Sequence, residues 1–131
     1  MIFGIGTDIV AVARMSGIVE RHGGKFAQRV LAASELEEYQ AASDKARFLA
    51  KRFAAKEAAA KALGTGFAGG LSLRHIAVTH DEKGRPLLQF VGYAAQLAHG
   101  LGIGEAFVSV ADERDYALAY VTLQRRSSTA L

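Results

Sequence analysis

The feature that most constrains this chain is one long, alanine-rich helical segment near its middle. Its pattern predicts a helix over about 44–63, with Ser43 as the N-cap and Gly64 as a left-handed C-cap residue. One stripe along this helix gathers small and aromatic residues around two charged ones: Ala46, Ala50, Phe53, Ala54, Glu57, Ala60 and Lys61. The small residues argue against a fully solvated face, so the charged pair lies in an unusual setting.

The elements on either side of this helix predict the fold class. Residues 2–12 have the pattern of a strand with apolar side chains on both faces, so we expect both faces to be buried. Helices are predicted over about 14–23 and 25–31. A capping box at Ser34–Glu37 starts a further short helix. Later segments predict strands over 73–80, 86–91, 106–112 and 116–124, a helix over about 92–100, and a frayed tail over 125–129. We therefore expect one α+β domain over residues 1–131, with a mainly antiparallel sheet packed against one long helix and several short ones.

Asp8 is the first residue that this fold does not explain. It lies in the middle of an apolar strand, on the same face as Gly4 and Gly6. A buried carboxylate is costly unless it is paired, hydrogen-bonded or bound to a metal. Glycines on that face leave room for another group to approach the backbone closely. The alternative is an Asp that bonds neighbouring backbone amides or an internal Arg.

Glu57 and Lys61 are the second such feature. They lie one turn apart in a helix with six cationic residues and only two acidic ones. An ordinary surface ion pair at this spacing is the alternative, and it contributes only a few tenths of a kcal/mol, about 0.3. Gly64-Thr65-Gly66 follows, and such a turn beside cations can bind phosphate through backbone amides, although glycine also ends many helices. Together, Asp8 and Glu57 suggest a Mg²⁺ site that faces a phosphate.

Composition excludes several classes of function. The 131 residues carry 16 Lys and Arg against 13 Asp and Glu, a net charge of +3. The pI of about 9.4 leaves a small nucleic-acid-binding module as the alternative reading, but dense cationic clusters are missing and we expect no nucleic-acid partner. The chain has no Cys, which fits a cytoplasmic protein, and neither a leader sequence nor a membrane span is expected.

Two stretches of the sequence resemble a known family. They are GIGTDIV over residues 4–10 and RFLAKRFAAKEAAAKALGTG over residues 47–66. Both closely resemble the small bacterial-type 4′-phosphopantetheinyl transferases, the holo-(acyl-carrier-protein) synthases, and the similarity extends over residues 2–124. The resemblance implies the fold of that family and transfer of 4′-phosphopantetheine from coenzyme A to a serine of apo acyl carrier protein. Adenosine 3′,5′-bisphosphate is released, and the product supports fatty acid biosynthesis.

The resemblance also implies roles for individual residues. Asp8 and Glu57 correspond to the metal ligands for Mg²⁺, and with Lys61, near the coenzyme's phosphates, they form the predicted catalytic group. The family forms homotrimers with active sites at the subunit interfaces. Coenzyme contacts are assigned to six positions: Arg52, Lys61, Gly64, Gly66, Pro86 and Asp112. Asp112 is a departure, because many members have His at this position.

The acidic carrier needs a cationic surface. Arg14 and Arg21 lie seven residues apart on one face of the first predicted helix, with Ile18 between them. We expect this face to dock the carrier. The alternative is an ordinary amphipathic surface helix.

Overall fold

The computed structural model describes residues 1–127 and contains five helices, five strands and a short 3-10 turn within that range. The helices are α1 (Val12–His22), α2 (Gly24–Val30), α3 (Ala33–Ala41), α4 (Lys45–Leu63) and α5 (Gly92–Leu101). The strands are β1 (Ile2–Ala11), β2 (Ile76–His80), β3 (Pro86–Phe90), β4 (Ile103–Asp112) and β5 (Tyr116–Arg125), and the 3-10 turn spans Leu73–His75.

All strand pairs are antiparallel, and they form two separate units. The larger is a three-stranded sheet in the order β1-β5-β4, and the smaller is the β2-β3 hairpin. The predicted α+β class with a mainly antiparallel sheet is confirmed. The division into two units was not predicted, because patterning gives the strands but not their partners.

The long helix α4 is the centre of the core. It begins one residue later than predicted: Asp44 is the N-cap, and its side chain accepts a hydrogen bond from the Arg47 backbone N–H at 3.0 Å. The helix ends at Gly64, whose φ of 84° is left-handed as predicted. Alanines on several sides of α4 are fully buried, among them Ala50, Ala54, Ala55, Ala58 and Ala59. Small side chains therefore allow other elements to pack closely around it.

Strand β1 lies directly against α4 because of two glycines. A Cβ atom added at Gly4 would collide with the backbone carbonyl oxygen of Ala62, and one added at Gly6 would collide with that of Ala58. The face of β1 that the sequence marked with glycines is therefore the face in contact with α4. Asp8 lies on this face, two residues after Gly6.

The other face of β1 is uncovered. Ile5 is 56% exposed and Ile9 is 62% exposed, whereas Val10 on the α4 side is buried. The expectation that both faces are covered is wrong within residues 1–127, because no element in that range packs on the second side of the three-stranded sheet. The strand is also one residue shorter than predicted, since α1 begins directly at Val12.

The remaining differences lie at element ends. Ser34 is not an N-cap, because α3 already begins at Ala33, and it is the Ala32 backbone N–H that donates to the Glu35 carboxylate, at 2.8 Å. Arg125 belongs to β5 and the Arg126 N–H donates to the Gly102 carbonyl, so the first part of the predicted frayed tail is ordered. Residues 128 and 129 lie outside the described residues. Within residues 1–127, no helix combines the length and hydrophobicity needed to cross a bilayer.

Candidate active site

Asp8 projects from β1 toward α4, where it meets Lys61. The Lys61 ammonium donates to Asp8 Oδ1 at 3.0 Å and to the Thr7 carbonyl at 2.9 Å. The Asp8 side chain is 18% exposed, while that of Lys61 is half-exposed. The partner of the Asp8 carboxylate is therefore the Lys61 ammonium on α4. It is neither an internal Arg nor a backbone amide, the two partners that the alternative reading offered.

Glu57 lies one turn before Lys61 on the same helix and is half-buried. Burial raises the pKa of its carboxyl group, and the nearby charge of Asp8 raises it further, while Lys61 and Arg14 act in the opposite direction. The two carboxylates are thus close enough to repel each other. Among residues 1–127 Lys61 forms its ion pair with Asp8, not with Glu57, so the simple one-turn surface pair is not what this helix forms.

The chemistry of this pair fits Mg²⁺. Magnesium is usually held by one or two carboxylates, keeps several waters, and completes its coordination with phosphate oxygens. Burial first, and the charge of Asp8 second, raise the pKa of Glu57, and a divalent cation between the two carboxylates would offset both effects. Within the described part of the chain, no group of three or more His, Asp or Glu side chains offers a complete protein cage for a metal.

Arg14, at the start of α1, lies at the edge of this pair. Its guanidinium is 5.5 Å from the centre of the Phe53 ring, and its positive charge lowers the pKa of Glu57. Arg21 lies beside Gly17 at the other end of α1. The two predicted docking residues are therefore not equivalent, because Arg14 also acts on the candidate metal ligands.

The glycine turn follows α4 directly. Gly64 and Gly66 have φ values of 84° and 61°, and a Cβ atom at either position would meet nothing within 4 Å. These glycines are therefore required by the left-handed backbone rather than by a close neighbour. They follow Lys61 closely in the sequence, and their contact with the coenzyme stays a prediction.

A second region lies between α4 and the β2-β3 hairpin. It is a cleft of about 210 Å³ that contains two predicted coenzyme residues, Arg52 and Pro86, but none of Asp8, Glu57 and Lys61. Its full lining is Phe48, Lys51, Arg52, Ala55, Val78, His80, Gly84, Pro86 and Val110. Lys51 and His80 add positive or protonatable groups that the sequence analysis had not assigned to the coenzyme.

Asp112, at the end of β4, bonds to cations of α4. Its carboxylate is 3.1 Å from Arg47 Nη1 and 3.9 Å from Lys51 Nζ. Arg47 also donates to the Glu113 and Arg114 carbonyls, so it fastens the β4–β5 turn to the first turn of α4. Asp112 is thereby connected to the cleft through Lys51.

Glu35 and Lys56 were missed by the sequence analysis. Both side chains are completely buried, and they form an ion pair that also includes Arg52. The predicted capping box paired Ser34 with Glu37 and gave Glu35 no role. A usable signal was present in α4, where Arg52 and Lys56 lie one turn apart among alanines, outside the stripe that contains Glu57.

Comparisons with known proteins agree on the family. The family model for the 4′-phosphopantetheinyl transferase superfamily matches residues 4–121. The holo-[acyl-carrier-protein] synthase of Halorhodospira halophila is 57% identical over 94% of this chain and 98% of its own length. The crystal structure of the synthase from Neisseria meningitidis superposes with a TM-score of 0.91 at 42% identity, covering 95% of this chain and all of that one.

One similar structure contains a ligand. The Helicobacter pylori synthase in complex with coenzyme A has a TM-score of 0.81 and 32% identity, and the match covers 92% of this chain and 99% of that one. Sequence and structure thus agree over nearly the whole chain. With its paired carboxylates on β1 and α4, the chain belongs to the 4′-phosphopantetheinyl transferase superfamily, within its holo-[acyl-carrier-protein] synthase family.

Proposed function

We propose that this protein transfers 4′-phosphopantetheine from coenzyme A to a serine of apo acyl carrier protein, in support of fatty acid biosynthesis in the cytoplasm. The observation that carries the proposal is the placement of Asp8 and Glu57, with Lys61 beside them, on two elements that glycines hold in direct contact. The whole chain, residues 1–131, would act as one domain.

Each residue of this group has a distinct role. Asp8 and Glu57 would hold Mg²⁺, which supplies charge neutralisation at the pyrophosphate. Lys61 places a second positive charge at the same oxygens. The serine oxygen forms a bond to the phosphorus attached to pantetheine, and the bond from that phosphorus to the leaving adenosine 3′,5′-bisphosphate breaks. Glu57, half-buried beside Asp8, is the proposed acceptor of the serine proton.

The nucleotide part of coenzyme A would occupy the cleft between α4 and the β2-β3 hairpin. This cleft lies on a different side of α4 from Glu57 and Lys61, so the two parts of the site would meet across a subunit interface. Lys51 supplies positive charge beside the cleft, and Arg52, His80 and Pro86 lie in its lining. Lys61, Gly64 and Gly66 stay the predicted contacts nearer the pyrophosphate. Asp112 would act indirectly, by holding Lys51 and Arg47 in place. The binding of coenzyme A by the Helicobacter pylori relative supports this choice of ligand.

The exposed face of the three-stranded sheet supports assembly into a homotrimer. It presents apolar side chains from all three strands: Ile5, Ile9, Phe107, Tyr116, Leu118 and Tyr120, each between 39% and 62% exposed. A contiguous apolar patch of this kind marks an interaction surface. A second copy of the chain is the natural partner, and the number three comes from the family.

The location of this face supports active sites at the subunit interfaces. Asp112 lines a shallow cavity on the sheet together with Ile9, Tyr116 and Leu118. The same Asp112 is paired with Lys51, which lines the proposed coenzyme cleft. The cleft therefore borders the apolar face, and a copy packed on that face would lie beside the coenzyme.

The surface formed by α1 and α2 supports docking of an acidic carrier. Ile18, His22, Lys25, Phe26 and Arg29 surround an open cavity of about 430 Å³. Lys25 and Arg29 also border a second cavity with Arg74. Among residues 1–127, Lys25, Arg29 and Arg74 form no ion pair, so their charge is available to an acidic partner. Arg14 and Arg21, the predicted docking residues, extend this positive surface along α1.

The test is mass spectrometry of apo carrier incubated with the protein, coenzyme A and Mg²⁺. We expect one serine to gain the mass of 4′-phosphopantetheine. Asp8→Asn and Glu57→Gln should each lose most of the transfer, and chelation of the metal should stop it. If either variant keeps near-normal activity, the assignment of the metal ligands is wrong.

A further inference from the structure

A network of buried charges lies behind the proposed coenzyme cleft. Glu35 on α3 accepts four hydrogen bonds: Oε1 accepts from the Ala32 backbone and Lys56 Nζ, and Oε2 accepts from Arg52 Nη1 at 3.2 Å and the Val78 backbone at 3.1 Å. Lys56 donates its other two hydrogen bonds to the carbonyls of Leu73 and Ile76. Within residues 1–127, no buried side-chain nitrogen or oxygen lacks a partner.

The two donors to Glu35 Oε2 belong to different walls of the cleft. Arg52 is on α4 and Val78 is on β2, and both residues line the cleft. A single carboxylate oxygen therefore connects the helical wall to the strand wall. Lys56 on α4 donates to the carbonyl of Leu73, just before β2, and to that of Ile76, the first residue of β2. The Glu35–Lys56 pair therefore also holds the β2-β3 hairpin against α4.

Arg52 is held in three ways. Its Nη1 bonds to Glu35, its Nη2 bonds to Glu38 at 3.1 Å, and its guanidinium lies 4.3 Å from the centre of the Phe48 ring. A planar cation fixed in this way loses little freedom when it binds an anion. The side chain that could contact the coenzyme is thus oriented before the coenzyme arrives.

Stability alone does not account for this network. Replacing a buried ion pair by apolar residues of similar volume is often neutral or stabilising. We infer that Glu35 is a positioning residue, which fixes Arg52 and the spacing of the two cleft walls and thereby sets the affinity for coenzyme A. The inference rests on the proposed function, since it names the ligand of that cleft.

The main test is the double variant Glu35→Gln/Lys56→Met. It removes both buried charges together, so no unpaired charge is left, and the substituted side-chain amide still has one oxygen to cap α3. The amide offers no second acceptor for Arg52 and Val78. We expect a lower Tm, because the buried Val78 N–H and the Leu73 and Ile76 carbonyls lose their partners, so binding is measured well below the melting range. Calorimetry should show coenzyme A binding weakened by about tenfold, the usual effect of losing a charged hydrogen bond.

A kinetic measurement distinguishes positioning from general damage. At saturating coenzyme A, the double variant should keep its kcat and its KM for the carrier, while its KM for coenzyme A rises. Unchanged affinity for coenzyme A, or an equal rise in both KM values, would overturn the inference and leave the proposed function intact. If the wild-type protein does not bind coenzyme A, both are overturned together.

A milder variant keeps the inference testable if the double variant does not fold. Glu38 is half-exposed and holds only the outer nitrogen of Arg52. Glu38→Gln should weaken coenzyme A binding by severalfold, with an unchanged Tm and an unchanged KM for the carrier. Glu37→Gln is the matched control, because Glu37 lies next to it on the exposed side of α3 and forms no ion pair among the described residues. Equal affinities in the two variants would refute the positioning role.

Discussion

At the scale of single residues, Glu57 is a proposed metal ligand whose ionised carboxylate also destabilises the fold. Its carboxylate is half-buried beside another carboxylate, and both conditions raise its pKa. The folded chain therefore holds the Glu57 proton more tightly than the unfolded chain does. Without metal, ionised Glu57 destabilises the fold, and this loss grows as the pH rises from the ordinary glutamate pKa through the raised one.

This sign gives a direct prediction for Glu57→Gln. In the absence of divalent metal at neutral pH, the variant should melt a few degrees higher than the wild type, because it carries no charge to bury. Thermal melts with and without Mg²⁺ check this. The wild-type Tm should rise when Mg²⁺ is added, and that of the variant should not. A variant that melts lower than the metal-free wild type would contradict burial and charge repulsion as the origin of the raised pKa.

Sequence reasoning could identify Asp8, Glu57 and Lys61 because each is a charged residue in an apolar or alanine-rich pattern. It could not find the Lys61–Asp8 pair, because this contact joins residues 53 positions apart. Glu35 was missed as well. The predicted capping box paired Ser34 with Glu37 and gave Glu35 no role, and the contacts of Glu35 to Arg52, Lys56 and Val78 join residues 17 to 43 positions apart.

At the scale of elements, the contact between β1 and α4 determines the active-site geometry. Gly4 and Gly6 allow the strand to touch the helix backbone, and Asp8 follows on the same face. The helix end at Gly64 was predictable because glycine has a local signature there. The start of α4 was misplaced by one residue because Ser43 and Asp44 are both good caps, and the bond to Arg47 selects Asp44.

Gly6→Ala tests the importance of this contact. The added methyl group collides with the Ala58 carbonyl, so the strand must move away from α4, at a cost of about 1–3 kcal/mol. We expect a lower Tm and a loss of Mg²⁺-dependent transfer that exceeds the loss of carrier binding. Gly100→Ala is the control, since a Cβ atom there meets nothing within 4 Å and alanine favours the helix. Normal transfer by Gly6→Ala would show that the contact does not control the site.

The α1–α2 surface gives a prediction for carrier recognition. Arg29→Glu should raise the KM for the carrier by about tenfold at low salt, as expected for a charge at a docking surface. This difference should shrink as salt is added, and coenzyme A binding should not change. Arg126→Glu serves as the control, because Arg126 follows β5 and bonds to His99. A loss of coenzyme A affinity in Arg29→Glu would contradict a separate docking surface.

At the scale of the whole molecule, the sheet is only half covered. Sequence patterning marked β1 as apolar on both sides, and within one chain only the α4 side is buried. The prediction was therefore wrong for the single chain because the covering layer is not part of it. A sequence pattern shows which side chains are apolar but not which element packs on them. For the same reason it did not predict that the strands form two separate units.

Tyr120→Glu tests assembly through the exposed face. In sedimentation experiments, we expect the wild-type protein to behave as three chains of 13.9 kDa and the variant as one. The variant should keep its fold, since Tyr120 is 46% exposed in the chain, and should lose transfer activity. Tyr93→Glu, on α5, is the matched control and should still assemble. A wild-type protein that is monomeric at active concentrations would exclude this interface.

The close contact at Gly4 and Gly6 has a consequence for how this protein can evolve. The separation of the two acidic groups depends on main-chain atoms, which exchanges between small side chains elsewhere in the helix hardly disturb. Many alanines of α4 can therefore be replaced by other small residues during evolution without loss of the transfer activity. The least replaceable positions then include two that carry no reactive atom, and a library of random substitutions should find them as intolerant as the acids themselves.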